Sequence, residues 1–488
     1  GAGPRRNLRR RGQVTAVTAG SLPQQRTGRR PEALMLVLGL LVDLAAYIAV
    51  GVGHDKSFPP SIGVYAAGFA ALYLAAHLAV RRLAPYADPL LLPLVAFLNG
   101  LGLVLIHRLD LADEDRARQA GKPFPHGDAH LQFVWMVLGL ALFVVVLIVV
   151  RDHRSLQRYT YTAMAGGIVL LLIPAALPAA YSQVNGAKIW IRLGGLSFQP
   201  SEVAKILLIV FFAGYFVAKR DVLSLASRRF FGLNLPRGRD LGPVLLAWLL
   251  MLAVLIFERD LGTSLLFFGI FTAMLYVATE RTSWLVIGIV LFCAGSYSAY
   301  RLFSHVHERV DIWLHPWSQS QGHAYQLVQG LFGLGTGGVL GTGLGLGRPD
   351  LVPFAKTDFI TATLGEELGL AGLMAVLVIY GLVVQRGLRT AVSVRDTFGK
   401  LLVTGLAFSL ALQVFVVVGG VTRLIPLTGM TLPFMSYGGS SLVANWVIIG
   451  LMVRVSDAAR RPVPQAAVRT PGAADTQVIA PVAPGPPS

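Results

Sequence analysis

The chain has 488 residues, 54% of them hydrophobic and 14% charged. A soluble domain carries roughly a quarter of its residues as charges, so this composition excludes an ordinary water-soluble globule and suits lipid. The formal charge of +17 does not argue for nucleic acid, because Lys and Arg sit mainly in short segments between apolar runs, as membrane topology produces.

Taken in chain order, residues 1–33 are Arg-rich with no apolar period and read as a disordered basic cytoplasmic tail. Apolar runs long enough to span a bilayer, about 17–25 residues, then recur. They fall near 34–52, 62–80, 89–106, 131–150, 159–179, 200–218, 241–257, 261–279, 284–303, 359–384, 401–421 and 435–453. Residues 304–358 form a long segment between two runs, holding Trp313, Pro316, Trp317 and dense glycine from Gly330 to Gly347. Connections of that length are often functional. Residues 457–488 are Pro- and Ala-rich and read as a second disordered tail. The expected fold class is an all-α polytopic membrane protein of about a dozen spans.

Orientation follows from positive charge. With the N-terminus cytoplasmic, the inner connections receive Arg81/Arg82, Arg151/Arg154/Arg158, Arg228/Arg229/Arg237/Arg239, Arg281, Arg386/Arg389/Arg395 and Arg454/Arg460/Arg461. An even number of spans, with both termini inside, is the reading that keeps this bias. The single cysteine, Cys293, lies in an apolar run, and the ten histidines show no metal-ligand spacing. Gly333, Gly335 and Gly338 match a dinucleotide-binding glycine pattern, but they sit between membrane spans rather than in a βαβ unit. The same stretch matches G-x-x-x-G at Gly333, Gly337, Gly341 and Gly345, which suits close helix packing or a re-entrant loop equally.

Charges in or beside spans are costly in lipid and usually mark function, and five groups qualify. Glu202 and Lys205, in Gln199-Pro200-Ser201-Glu202-Val203-Ala204-Lys205, share a helix face and either line a polar cavity or fix packing. Asp260, in Glu258-Arg259-Asp260-Leu261-Gly262-Thr263, is either a helix N-cap or a carboxylate presented for proton abstraction. Asn185-Gly186-Ala187-Lys188-Ile189-Trp190-Ile191-Arg192 joins a turn, an aromatic anchor and two cations suited to lipid phosphates. Asp358 opens the span that holds Glu366 and Glu367 well inside it. The fifth group runs from Arg423 through Gly429 to Leu432-Pro433-Phe434 and on to Ser436, Ser440 and Ser441, small residues that permit close packing or ligand contact. Together they suggest one polar cavity that opens outward and acts on a substrate with a lipid-embedded part.

In this order the motifs resemble the SEDS family (shape, elongation, division and sporulation), which includes RodA, FtsW and SpoVE. The resemblance rests on Asn185 to Trp190, Gln199 to Lys205, Asp260 to Thr263, Gly337-Gly338 with Gly341 to Gly345, Thr357-Asp358-Phe359-Ile360, Gly365 to Gly369 and Leu432 to Ser441, within residues of about 89–456. The Arg-Leu-Asp ending at Asp110 and Gly-His-Ala-Tyr-Gln at 322–326 are similar to RodA more than FtsW, and the first two spans are similar to an extra pair in actinobacterial RodA-like proteins. The sequence departs from the pattern at Phe354, where a Glu is common, at Val417, where an Asn is, and at Arg423, where a Gly is usual.

The resemblance implies a ten-helix glycosyltransferase core at 83–456, preceded by an extra helix pair at 34–82, in the bacterial cytoplasmic membrane. It implies polymerisation of lipid II into glycan strands at the outer membrane face, for cell elongation and shape. The implied partners are a class B penicillin-binding protein and membrane lipids. Asp260 matches the family's catalytic Asp. Lys188, Arg192, Lys205, Arg309 and Arg423 are candidate cations for the leaving diphosphate, and a divalent cation (Mg or Mn) is a further expectation. Trp190, Glu202, Asp358, Glu366, Ser436 and Ser440 are expected to line the cavity or hold substrate. A lipid II flippase and a non-catalytic scaffold are the competing readings.

Overall fold

Eleven helices among the described residues are long and apolar enough to cross a membrane. The structure, a computed structural model, describes residues 29–123, 127–184, 187–193, 196–224, 228–230, 233–235, 249 and 260–462. The expected span at 241–257, the two tails up to 28 and beyond 462, and the dipeptides Asn185-Gly186 and Glu258-Arg259 lie outside these residues, Leu249 apart. The described residues from Arg29 to Arg460 pack as one unit.

The helices are α1 (Arg30–Asp55), α2 (Ile62–Leu83), α3 (Leu91–Gln119), α4 (Asp128–Val149), α5 (Thr160–Ala176), the single turn α6 (Ala179–Ser182), α7 (Pro200–Ser224), α8 (Leu261–Thr279), α9 (Thr282–Leu302), α10 (Ser304–Leu314), α11 (Tyr325–Gly337), α12 (Ile360–Ser393), α13 (Thr397–Val421) and α14 (Gly439–Arg460). The fold is all-helical as expected, with three short antiparallel strand pairs in the connections: Gln183–Val184 with Ala187–Lys188, Ile191–Leu193 with Leu196–Phe198, and Arg228–Phe230 with Leu233–Leu235. Each lies between apolar runs, where backbone groups pair with each other instead of within a helix. The long segment 304–358 is likewise not structureless, since it folds into α10, α11 and two 3-10 turns.

α3, α7, α13 and α14 are mostly buried, while α2 and α9 turn most of their surface outward, to where lipid would lie. The first pair packs on this centre through α1 against α3 and α2 against α4. Asp43, a carboxyl inside α1, is buried and accepts from the Tyr73 hydroxyl at 3.0 Å, the same hydroxyl that meets Ala96 O at 2.7 Å. Gly100 makes the room, because a Cβ there would sit 2.0 Å from Asp43 Oδ2.

α12 is broken at Gly369, whose φ of 68° and ψ of −172° no β-carbon residue adopts easily. The break strands backbone groups that a membrane interior cannot hydrate. The glycine-rich turn after α11 satisfies them. Thr342 N–H donates to Glu366 O at 2.9 Å and Gly343 N–H to Glu367 O at 3.0 Å, while Gly338 O and Val339 O accept from Leu370 and Ala371 at 2.9 and 3.0 Å. The turn splices into the broken helix, and Gly341 lies too close to α12 for a side chain, since a Cβ would meet Glu367 O at 2.2 Å.

Candidate active site

Asp260 is the N-cap of α8: its Oδ1 accepts from the Thr263 amide at 3.0 Å and its Oδ2 from the Thr263 hydroxyl at 2.5 Å. The cap reading of the sequence is therefore met, and it leaves the carboxylate buried and, among the described residues, oriented by the neutral amide and hydroxyl of Thr263. Burial pushes its pKa above the ordinary carboxylate value, and the Thr263 hydrogen bonds and the nearby Arg309 charge offset only part of that.

Arg309 comes from α10. Its Nη1 donates to Leu427 O at 2.8 Å, and its charge acts on both Asp260 and Asp358. Asp358, just before α12, has its pKa pushed up to about 6 by burial and by the Asp260 charge, against the pull of Arg309 and Thr357. The loop after α13 closes the group. Gly429, at φ 76°, brings the charges around a residue without a side chain: a Cβ there would lie 3.6 Å from Asp358 Oδ2 and 3.9 Å from Arg309 Nη2. The same loop packs on α8, where a Cβ on Gly262 would meet Met430 Cγ at 2.5 Å and Thr428 Cβ at 3.1 Å.

Against this cluster lies a cavity of about 470 Å³. α8, α9, α10, α13 and the 425–428 loop form its walls, through residues such as Leu265, Phe268, Phe292, Val310, Phe415 and Leu427. Its lining is mostly apolar, and among the described residues Arg309 is the charged one in the wall. Leu261 and Ser264, from the turn that Asp260 caps, line it too. An apolar groove ending at a guanidinium and a poised carboxylate suits an amphiphile with an anionic head next to its lipid chain.

The other sequence candidates fall in different places. Lys205 is buried, donating to Glu202 Oε2 at 2.8 Å and to Gln413 Oε1 at 2.9 Å, while Gln413 Nε2 donates to Thr431 O at 3.0 Å. The pair thus ties α7 to α13 and to the loop that carries Gly429. Ser436 donates to Thr357 O at 2.5 Å and so braces that loop, while Ser440 accepts from the Gln199 amide at 3.2 Å and ties α14 to the start of α7. Lys188 and Arg192 lie on the hairpins paired with Gln183 and Ser197, and the Trp190 amide meets Ser182 O at 3.3 Å. No hydrogen bond or ion pair among the described residues links these three to Asp260. Glu366 accepts from the Arg348 amide at 2.6 Å and belongs to the glycine-rich splice.

The Arg423 guanidinium is committed to α10. Its Nε donates to Trp313 O at 2.8 Å and its Nη2 to Leu314 O at 3.0 Å. Its backbone stands at φ 61°, a left-handed conformation that costs a non-glycine residue about 1–2 kcal/mol.

Sequence reasoning missed two charged groups. Arg108 donates to Glu367 Oε1 at 2.9 Å and to Gly347 O at 2.8 Å. Lys356 meets Asp110 at 2.6 Å, Asp113 at 2.7 Å and Asp128 at 2.9 Å. A charge on an apolar helix is the signal that finds Arg108, but the apolar run ends at 106 and the helix does not. Among the described residues, no group of three or more His, Cys, Asp or Glu could hold a metal ion. Asp260 and Asp358 are two carboxylates, a number with which Mg²⁺ is held where substrate phosphates complete its shell.

Residues 89–461 match the family described as "Cell cycle protein" (FTSW_RODA_SPOVE), leaving α1 and α2 outside the match. The chain is 52% identical over 440 residues to the peptidoglycan glycosyltransferase RodA of Mycobacterium bovis, covering 90% of this chain and 93% of that one. It is 51% identical to the RodA of Mycobacterium leprae over the same length. Among solved structures it resembles a chain from a peptidoglycan synthase complex described as coordinating polymerization and crosslinking, with a TM-score of 0.61 and 26% identity over 77% of this chain and 99% of that one. The crystal structure of the Thermus thermophilus rod shape determining protein RodA aligns with a TM-score of 0.52 and 25% identity over 77% of this chain and 98% of that one. This chain is a member of the FtsW/RodA/SpoVE family of membrane proteins.

Proposed function

We propose that this chain is a peptidoglycan glycosyltransferase of the RodA type, which polymerises lipid II with a class B penicillin-binding protein. The observation that carries the reading is Asp260, capped and raised in pKa beside Arg309 at the end of the apolar groove. The positive-inside bias of the sequence supports an even number of spans with both termini in the cytoplasm, an orientation in which Asp260 faces the outer side, where the disaccharide of lipid II is presented.

The acceptor GlcNAc 4-hydroxyl gives its proton to Asp260 as its oxygen attacks C1 of the donor MurNAc. The C1–oxygen bond to the diphosphate breaks through a transition state of oxocarbenium character. The leaving group departs as an anion and needs positive charge, not a general acid. Arg309 supplies it, and the groove takes the polyprenyl chain. Asp260 and Asp358 are the residues that would hold a divalent cation (Mg or Mn), which would share the neutralisation of the diphosphate.

Purified protein with its partner should convert lipid II into glycan strands, and Asp260→Asn should not. An Asp260→Asn variant that folds and polymerises at the wild-type rate removes Asp260 from catalysis. The break in α12 favours transport as a second reading, since broken helices often line carrier sites. Here the freed backbone groups are taken by the glycine-rich turn, which weakens that reading. In liposomes a flippase moves labelled lipid II and makes no polymer.

A further inference from the structure

α13 ends in a Schellman turn. Leu424 N–H donates to Gly419 O at 2.7 Å and Arg423 N–H to Gly420 O at 3.2 Å, so Arg423 occupies the left-handed position where glycine is the favoured residue. An arginine kept in a conformation that opposes it calls for a side-chain interaction that compensates. That interaction is reciprocal. The Arg423 guanidinium takes the carbonyls of Trp313 and Leu314, two of the orphan acceptors at the C-terminus of α10, and the Trp313 indole donates back to Arg423 O at 3.0 Å. Arg309 lies four residues before Trp313, on the same face of α10, and binds the next part of the same loop at Leu427 O. From Leu427 the chain runs directly into Thr428, Gly429 and Met430, which pack around Asp358 and Gly262.

We infer that Arg423 is a positioning residue. By clasping the end of α10 it fixes that helix against the α13 loop, and with it the Arg309 guanidinium beside Asp260 and Asp358. Arg423 acts on the site through Arg309, because its guanidinium is turned to α10 by Nε and Nη2. The kinetic part of this inference rests on the polymerase reading. The structural part, that the clasp immobilises the end of α10, stands without it.

The decisive variant is Arg423→Gly, which removes the guanidinium's two bonds, keeps the carbonyl that the Trp313 indole meets, and gives the turn the residue its backbone prefers. The full-length protein and its partner, in nanodiscs, are assayed with lipid II. The thermal midpoint should stay within a few degrees of wild type. Polymerisation kcat/KM should fall about tenfold, mostly through KM. Arg309→Ala should fall further, and adding Arg423→Gly to it should cost nothing more, because both act through one group. Arg423→Lys, which keeps a charge but cannot span two carbonyls, should recover part of the loss. Hydrogen exchange of amides 310–315 should quicken about tenfold in Arg423→Gly. Wild-type kinetics in Arg423→Gly, or losses that multiply in the double variant, overturn the positioning role. Unchanged exchange overturns the clasp. If the wild type itself makes no glycan, the polymerase reading fails, and the exchange measurement still decides the clasp.

Discussion

The two charged regions of this molecule are built in opposite ways. Around the glycine-rich splice, charges meet opposite charges at short range: Arg108 with Glu367 at 2.9 Å, and Lys356 with Asp110, Asp113 and Asp128 at 2.6–2.9 Å. At the end of the groove, charges are held by neutral groups: Asp260 by the amide and hydroxyl of Thr263, and Arg309 by Leu427 O. Opposite charges in contact neutralise each other and leave little field for a third molecule. Charges oriented by neutral dipoles keep their field, at the cost of a raised carboxylate pKa. The first arrangement holds a fold together, and the second is prepared for a substrate.

The contrast is broken most directly by removing one charge from each region. Asp260→Asn keeps the cap, because Asn is as good an N-cap as Asp, and removes the base. Lipid II polymerisation should fall at least about a hundredfold, with an unchanged circular dichroism spectrum and thermal midpoint. Glu367→Gln should do the reverse. It leaves the buried Arg108 without its counter-charge, which costs about 3–5 kcal/mol. Reduced thermal stability and yield, with near-normal activity in the protein that does fold, is the expected result. The double variant Arg108→Met with Glu367→Leu should recover most of the stability. If Glu367→Gln is stable but inactive, the splice belongs to the chemistry and the contrast fails.

Much of this architecture was legible because lipid is an unforgiving solvent. The described spans start within a few residues of the apolar runs, since a helix in a bilayer must bury about 20 residues. Their ends were less legible. α3 continues to Gln119, well past the apolar run, because its last turns are charged and pair with Lys356 and Asp350 instead of lipid. That extension is why Arg108 was read only as part of the Arg-Leu-Asp motif and its ion pair with Glu367 was missed. In the site, Asp260 stood out as a carboxylate between two apolar runs, but Arg309 was one of five candidate cations. No local pattern tells which carbonyl an arginine faces, so Arg423 read as a substrate group although it clasps α10. Nor does any local pattern bring Thr428 and Met430 against Gly262 across more than 160 residues of chain, because that contact is a product of tertiary packing alone.

A milder perturbation sharpens the contrast inside the site. On folding, the Asp358 pKa rises to about 6, so the folded chain binds this proton more tightly than the unfolded chain does. The stability that this provides is present below the ordinary carboxylate pKa and is lost as pH climbs to about 6. At pH 7 the ionised group therefore works against the fold. Asp358→Asn should raise stability at pH 7 by roughly 1 kcal/mol, read as a higher thermal midpoint, and the gain should shrink as pH falls below 6. The change also removes a negative charge near Asp260, so the acid limb of the pH–rate profile should move to lower pH, with activity reduced about tenfold. A destabilised Asp358→Asn variant would place Asp358 among the saturated pairs.

The smallest expected effect on activity lies at Lys356. Burial alone would lower its pKa, but Asp110, Asp113 and Asp128 more than offset this and hold the ammonium above its usual range. A raised folded pKa gives stability that is complete below the unfolded lysine value and is lost only as pH rises beyond it. The wild type should therefore show this contribution undiminished from neutral pH up to about 10. Lys356→Met leaves three carboxylates facing one another, two of them about a third exposed and so partly screened by solvent. The loss should be about 1–2 kcal/mol at pH 7. It should fade as pH drops toward 4, where the carboxylates take up protons and their repulsion ends. Lys356 O also accepts from the Tyr437 amide at 2.7 Å, a backbone bond that the substitution keeps, so Asp358 should stay in place and the kcat of polymerisation should change less than twofold. A Lys356→Met deficit that persists unchanged at pH 4 would mean that the lysine stem, and not its charge, secures this corner of the bundle.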